Sequence, residues 1–436
     1  MLGRPAYTQP VAVIGSTAMG RRWTPVARGL AAPGVPWVLL APILAGVALI
    51  PLLRPNGPGN TSVPDVPIAL SILAALVWAG VTGQELRLPY ALAVGFTMLG
   101  GAVASIAGPL PGNGLLAVVQ DLFLLAWCGV IVNVARQADA FRWLMRAWAW
   151  SAVGWALILI GAVATGNLAL AGITDRTGVR ASLTFGDPNY AASYFFVAFM
   201  IVLAAQIPRR RILRLGACAI LLAALALTGS NGGILSCAVG TAVVMVGFVA
   251  KRWGRTQLLA VVCIAGAIGI VGLMVVQTLP IEDWANATGV PLLRDSIGRS
   301  SQSAQEREWL VQETLGLFAQ GVPWGLGPNT TKPLLQYQLA PYAYQTHDDY
   351  IEAIVERGVL GAIGLLLLIG SLLVRTWTMV TMTMRREFAA VIPNRAPLVG
   401  AALGLAVSAS YYQILHFRHV WTFFAVIAAL YVWGRE

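Results

Sequence analysis

Twelve stretches of this 436-residue chain are long and apolar enough to cross a lipid bilayer, and no other property narrows its fold as much. A hydrocarbon core about 30 Å thick takes about 20 apolar residues in a helix. The stretches run approximately over residues 35–53, 66–82, 89–107, 115–134, 143–165, 190–206, 212–228, 232–250, 257–279, 354–374, 397–414 and 419–434. They are rich in Leu, Ala, Val and Gly and lack the apolar–polar alternation of a barrel strand, so helices are the spanning element. The expected fold is all-α, a polytopic membrane bundle of about 12 transmembrane helices. Its expected parts are a cytoplasmic tail over 1–34, spans one to nine within 35–279, a polar loop carrying short helices over 280–349, and spans ten to twelve within 350–436. A water-soluble fold is excluded, because 11% of residues are charged where soluble domains run near 25%.

Charge sets the expected orientation, since Lys and Arg are retained on the cytoplasmic side. With the N-terminus inside, the inner segments collect most of the 29 basic residues, among them Arg209, Arg210, Arg211, Arg385 and Arg386. Of 18 acidic residues only Glu85, Asp139, Glu387 and Glu436 fall there. The expected location is a bacterial inner membrane, with both termini cytoplasmic. The net charge of +11 is then a topology signal; no basic face with interleaved aromatics marks nucleic-acid binding. Cys128, Cys218, Cys237 and Cys263 all fall in expected spans and read as core, with no disulfide and no metal site. The first 30 residues carry four Arg and no compact apolar stretch ending at a small-residue cleavage site, which predicts a tail rather than a removable signal.

Polar groups are costly at membrane depth, so function is expected where the apolar pattern breaks. It breaks at 166–189, at the turn Thr228-Gly229-Ser230-Asn231-Gly232-Gly233, across the loop 280–349, and at intramembrane Asp121, which is expected to hydrogen-bond to a neighbouring helix. Within the loop, Ser303 and Glu306 have capping-box spacing and predict a helix reaching Phe318. The run 321–329 is too rich in Gly and Pro to continue it. Gly325 and Gly327 are expected to serve turn geometry and Pro323 to stop the helix. Helix is expected to resume near Ile351 and run into the tenth span.

Arg307, Trp309, the run Pro323-Trp324-Gly325-Leu326-Gly327-Pro328-Asn329, and the block His347-Asp348-Asp349-Tyr350-Ile351-Glu352 continuing to Glu356-Arg357-Gly358 resemble the O-antigen ligase and O-antigen polymerase superfamily in order, spacing and position before a span. Upstream, Thr184-Phe185-Gly186-Asp187-Pro188-Asn189 resembles the family's Gly-Phe-x-Asn-Pro-Asn block, and Thr228-Gly229-Ser230 its Thr-Gly-Ser-Arg turn. These motifs cover about residues 176–365. Asn231 stands where the family usually has Arg, one of two arginines held to grip the donor's diphosphate. Arg180 or Arg176 of the neighbouring outer segment is the expected substitute.

The resemblance implies a GT-C-like bundle and a ligase-like glycosyltransferase without cofactor or metal. Its donor would be a glycan on polyprenyl (undecaprenyl) diphosphate, and its acceptor a glycan, lipid or protein hydroxyl outside the cytoplasm, attacked with inversion. A sugar hydroxyl is a weak nucleophile that a base near neutral pH assists, and His347 is the expected base. A planar guanidinium fork matches diphosphate oxygens; Arg307 is expected there, ion pairing to Glu306, Glu308 or Glu313 being its structural alternative. Arg180, Arg176, Asn189, Asn231, Asp348, Asp349 and Tyr350 are expected substrate contacts. For Asp348 and Asp349, capping of the following helix serves equally well. Asn329, His416, Arg418 and His419 are polar residues of the outer face with no assigned role.

Three other functions fit parts of the sequence. A polymerase of lipid-linked repeat units shares the motifs and the reaction class. A metal-dependent transferase using polyprenyl monophosphate sugars needs an acidic base, for which Asp65 stands alone, without a second carboxylate spaced to hold the metal. A transporter of lipid-linked sugar would show interrupted helices at matching positions in two halves, whereas one long loop breaks the pattern here.

Overall fold

The computed structural model describes residues 35–54, 61–175, 177–254, 256–257, 259–260, 279–320, 323–338 and 347–436. Among them the chain is helical, apart from one isolated bridge between Met384 and Arg435. Before the loop come α1 (Trp37–Ala48), α2 (Asp65–Thr82), α3 (Ala91–Ala107), α4 (Pro111–Val134), α5 (Ala138–Ala164), the short α6 (Leu168–Ala171), α7 (Pro188–Ala205), α8 (Arg211–Leu227) and α9 (Asn231–Trp253). The loop holds α10 (Ile281–Ala287), α11 (Pro291–Ser296), α12 (Ser300–Gln320) and α13 (Thr331–Tyr337). After it come α14 (Asp349–Val355), α15 (Gly358–Thr381), α16 (Arg386–Val391), α17 (Ala396–Ala409) and α18 (Arg418–Trp433).

By length and composition α2, α4, α5, α7, α9 and α15 can cross a membrane, while α1, α3, α17 and α18 are shorter apolar helices. This is a multi-pass membrane protein. Each of these helices, and α8, occupies a stretch expected to span. The stretch 257–279 lies almost wholly outside the described residues, as do the tail 1–34, Cys263 and Arg176. Cys128, Cys218 and Cys237 are buried.

Helices form because lipid and protein interior offer backbone N–H and C=O groups no partner outside the segment itself. Side-chain caps mark several starts. Asp187 accepts from the Asn189 amide at 2.7 Å ahead of α7, Ser230 Oγ from the Gly233 amide at 3.1 Å ahead of α9, and Asp348 from the Tyr350 and Ile351 amides at 2.8 and 2.9 Å ahead of α14. The centre of the bundle is α7 and α18: 83% of α7 is buried, as is every α18 residue from His419 to Leu430. Apolar side chains gain little from leaving lipid for protein, so close crossings fall on small residues. A Cβ at Gly400 of α17 would lie 2.4 Å from the Gly240 carbonyl oxygen of α9, and one at Gly100 of α3 would lie 2.8 Å from the Gly361 amide of α15.

Two expected boundaries move. Helix α12 begins at Ser300 rather than at the Ser303 capping box. Its N-terminus is capped from another helix, because Glu282 of α10 accepts hydrogen bonds from the hydroxyls of Ser300 and Ser301 and from the Ser301 amide. The helix expected from Ile351 into the tenth span is broken between α14 and α15, where Gly358 takes φ +63°. Into that break docks the Gly-Pro turn: the Leu326 amide donates to the Val355 carbonyl at 3.0 Å, Gly327 to Glu356 at 2.9 Å, and Val359 to Pro323 at 2.9 Å. A Cβ on Gly325 would lie 2.5 Å from the Gly358 amide nitrogen, and one on Gly358 would lie 2.3 Å from the Trp324 carbonyl carbon. These two glycines therefore let backbone rest on backbone, beyond the turn geometry they were expected to serve.

Asp121 of α4 pairs with the Arg357 guanidinium at the same break, and both are buried. Arg357 also donates to the Thr97 carbonyl of α3 at 3.5 Å. Three helices thus meet where the loop rejoins the bundle.

Candidate functional site

The turn between α8 and α9 is Thr228-Gly229-Ser230, with Gly229 at φ +55°. Arg180 lies over it and is only 9% exposed. Its Nε donates to the Thr228 carbonyl at 3.2 Å and an Nη to Asn189 Oδ1 at 3.4 Å. Asn189 Oδ1 also accepts from Ser230 Oγ at 2.7 Å, so the 187–189 block and the turn hold this guanidinium together. Asn231 leaves the turn and donates to the Ser296 carbonyl at 3.2 Å. The Arg180 guanidinium thus lies at this turn, and Arg176, the other arginine expected there, falls outside the described residues.

Two more arginines come to the same place. Arg307 on α12 lies against the Tyr411 ring, its Cζ 5.8 Å from the centroid. Arg299, on the 3₁₀ turn Ile297–Arg299, acts electrostatically on both Arg180 and Arg307. Among the described residues no carboxylate is within ion-pair distance of Arg307; Glu306 instead accepts from Gln302 at 2.9 Å and Glu308 from Gln312 at 3.4 Å. Burial, with the charges of Arg299 and Arg307 added, lowers the Arg180 pKa to about 10. Burial also lowers that of Arg307, where Tyr411 acts the other way and Arg299 adds to the fall. Asp187 is the acid that partly offsets both. Guanidiniums crowded and desolvated in this way are relieved by an anion.

His347 stacks on Tyr412, with ring centroids 5.2 Å apart and planes 12° apart. Its backbone takes φ +51°, in the left-handed region that residues with a Cβ seldom adopt, so the surroundings fix it there. Tyr412 is itself packed edge to face with Tyr190, ring centroids 4.9 Å apart, and lies within electrostatic reach of Asp187. Arg307 and His347 thus contact adjacent tyrosines, and Arg180 senses Tyr412 as well.

The residues following His347 face other partners. Asp348 caps α14, Asp349 accepts from the Ile414 and Leu415 amides at 2.8 and 3.5 Å, and the Tyr350 hydroxyl donates to the Ala406 carbonyl at 2.8 Å. Behind them Glu356 accepts from the Asn329 amide at 2.7 Å and the Thr331 hydroxyl at 2.6 Å, and Glu352 pairs with His416 Nε2 at 3.2 Å. Burial, reinforced by the Glu352 carboxylate, raises the pKa of Asp349 and of Glu356. For His416 burial opposes charging, but the Glu352 carboxylate outweighs it and raises the pKa to about 9. Asp65 forms a two-pronged pair with Arg418 and accepts from the Ser62 amide at 2.8 Å. His419 is buried against Ser193 Oγ at 3.0 Å. Among the described residues no group of three or more His, Cys, Asp or Glu is arranged to hold a metal ion.

Arg299, Tyr411 and Tyr412 join the site without having been expected in it. Arg299 belongs to no motif, and the tyrosines end an apolar stretch that reads as a span. The pairing of two aromatic residues just before Gln413 and His416 is the one local hint.

Residues 216–366 match a family model described as O-antigen ligase. The matched stretch contains the Thr228 turn, Arg299, Arg307, His347 and the break between α14 and α15, while Arg180 and Asn189 lie before it and the two tyrosines after it. No curated protein matches the chain. The match supports glycosyl transfer of the ligase and polymerase type, on a lipid-linked glycan in a membrane. From α8 into α15, then, the chain is similar to the O-antigen ligase family, and this match supports the resemblance to the O-antigen ligase and O-antigen polymerase superfamily.

Proposed function

We propose that this protein is a ligase-like, inverting glycosyltransferase that moves a glycan from a polyprenyl diphosphate, such as undecaprenyl diphosphate, to an acceptor hydroxyl. The observation that carries this reading is the meeting of Arg180, Arg299 and Arg307 beside the His347–Tyr412 stack. The donor's diphosphate sits among the three guanidiniums, whose planar forks match its oxygens and stabilise the charge it gains on leaving. His347 takes the acceptor's proton as the acceptor oxygen bonds to the anomeric carbon. The bond from that carbon to the diphosphate oxygen breaks, and its electron pair leaves with the diphosphate. Because diphosphate leaves readily, no separate acid is needed, and the guanidiniums supply the positive charge that a divalent cation supplies in other transferases.

In this reading Asn189 and Asn231 set the position of Arg180 and of the loop. Asp348, Asp349 and Tyr350 fix the start of α14, two residues after His347. About twelve spans place both termini in the cytoplasm and the site on the outer face of a bacterial plasma membrane. A polymerase would use the same groups and differ only in its acceptor, the next lipid-linked repeat.

The test is transfer by the purified protein in liposomes, from a polyprenyl-diphosphate oligosaccharide to candidate acceptors, comparing wild type with His347→Ala and Arg307→Ala. Losses of about a hundredfold or more are expected. Full activity in both variants would sink the mechanism. A product ladder indicates a polymerase, and single attachment a ligase.

A further inference from the structure

A second set of arginines gathers at the other end of the bundle. Helix α7 starts beside Arg180 and ends at Ala205, and at 1.5 Å per residue its 18 residues set the two ends about 27 Å apart. A cavity of about 170 Å³ opens at the Ala205 end, between the start of α5, residues 207–209 and the end of α16. Arg142, Arg146 and Arg209 line it, against an apolar wall that includes Trp150, Ile207 and Val391. Hydrogen bonds fasten the 207–209 side: Arg214 of α8 donates to the Pro208 and Arg209 carbonyls, both at 3.4 Å, and the Asn394 amide to the Ala204 carbonyl at 3.2 Å. Arg142 pairs with the exposed Asp139, and Arg146 lies over the Trp143 ring, its Cζ 5.5 Å from the centroid. Among the described residues no carboxylate is within ion-pair distance of Arg146 or Arg209.

The cavity therefore holds more positive charge than the protein supplies acid to match, and guanidinium forks suit the oxygens of a phosphate. What adjoins it says which phosphate. Trp143 and Trp150 are 44% and 54% exposed, and tryptophan on the outside of a membrane bundle sits at head-group level. Past Trp150 the same face of α5 runs through Gly154, Leu157 and Gly161, at steps of four, three and four residues. Leu157 is 51% exposed, and nothing lies within 4 Å of where a Cβ on Gly154 or Gly161 would stand, so the described helices leave this strip uncovered. A soluble phosphate would leave it bare, whereas an acyl chain hanging from the cavity would lie along it. We propose that this cavity binds the head group of an anionic phospholipid, its phosphate among Arg142, Arg146 and Arg209 and an acyl chain along α5. The bound lipid ties the start of α5 to the turn that follows α7, at the end of the bundle remote from Arg180. It takes no part in the transfer reaction.

The experiment is native mass spectrometry of the full-length protein titrated with phosphatidylglycerol, with phosphatidylcholine, and with phosphatidylglycerol in the presence of excess glycerol 1-phosphate. Wild type is compared with a double variant, Arg146→Gln and Arg209→Gln, and with a control that loses the same charge outside the cavity, Arg252→Gln and Arg386→Gln, both at exposed positions. Phosphatidylglycerol is expected to bind wild type and the control alike, about tenfold tighter than phosphatidylcholine. Its affinity for the double variant is expected to fall about tenfold, as the charge-assisted hydrogen bonds are lost. Melting temperature gives a second readout. All three proteins are expected to melt together in phosphatidylcholine, which shows that the variants fold, and phosphatidylglycerol is expected to raise the melting point of wild type and control but not of the double variant. Unchanged affinity in the double variant, an equal loss in the control, or equal binding of phosphatidylcholine overturns the proposal. Full displacement by glycerol 1-phosphate overturns it too, because the site would then serve a soluble phosphate. No donor or acceptor is present, so the outcome is independent of the glycosyl-transfer reading.

Discussion

The His347 imidazole and the Tyr412 ring lie face to face, 5.2 Å between centroids. This contact holds the proposed base at a left-handed backbone position, so the ring beneath it governs where the base points. Stacked rings contribute about 0.5–1.5 kcal/mol, and Tyr412→Leu should slow transfer about three- to tenfold. Tyr412→Phe keeps the stack and should retain most of the rate. Transfer kinetics of the two variants decide the matter, and equal rates for Tyr412→Leu and wild type would remove Tyr412 from the site.

Arg180 stands over the Thr228-Gly229-Ser230 turn, beside Asn231, the position where the family resemblance leads one to expect an arginine. Arg180→Ala should lower the transfer rate about a hundredfold, as loss of a charge-stabilising donor does. Adding Asn231→Arg to that variant should restore part of the rate, because residue 231 starts α9 beside the same turn. Rates no higher in the double variant than in Arg180→Ala would show that the two positions are not equivalent.

His416 gains its raised pKa of about 9 from the Glu352 carboxylate, against an ordinary value of 6.5. A group whose folded pKa is raised stabilises the fold fully below its unfolded pKa and loses that contribution as pH climbs through the folded one. Thermal stability should therefore decline between about pH 6.5 and 9, and His416→Gln should flatten that limb. The side chain is 31% exposed, so solvent screens part of the effect. An unchanged slope in the variant would mean that the pair does not act on stability.

Gly358 and Gly325 rest on backbone atoms at 2.3 and 2.5 Å from where a Cβ would stand. Alanine at either position should destabilise by more than about 1 kcal/mol, since φ is positive and the neighbouring atoms cannot yield. Gly112 has nothing within 4 Å of its Cβ position, so Gly112→Ala is the control and should stay within about 0.5 kcal/mol. Melting temperatures in detergent compare the three.

The pair between Asp121 and Arg357 predicts strong coupling. Asp121→Leu or Arg357→Met alone leaves a buried charge and should cost about 3–5 kcal/mol, while the double variant should cost less than the sum. A double-mutant cycle by thermal or denaturant unfolding measures this. Strict additivity would mean that the two side chains do not interact.

The spanning stretches were legible because local composition alone decides them: a run such as 358–381 has no alternative to a helix in lipid. The start of α12 was not, because its cap, Glu282, comes from a different helix and leaves no spacing near Ser300 to read. Gly358 was visible as a motif residue, but the break it permits depends on a turn some thirty residues earlier in the chain docking there. Arg307 could be read from its motif and Arg180 from its place beside the 187–189 block. Arg299 reaches the same spot only through the folding of α10 and α11, and Tyr412 only by the packing of α18 against α7.

The turn 323–329 is fastened to 355–359 by main-chain hydrogen bonds. Apart from the Glu356 carboxylate, which takes the Asn329 amide, that fastening reads no side chain other than the absence of one at the glycines. Trp324, 45% exposed, can therefore be exchanged without unseating the helix that carries Asp348 and Asp349. Substitutions on this exposed rim can therefore leave the socket beneath it unaltered.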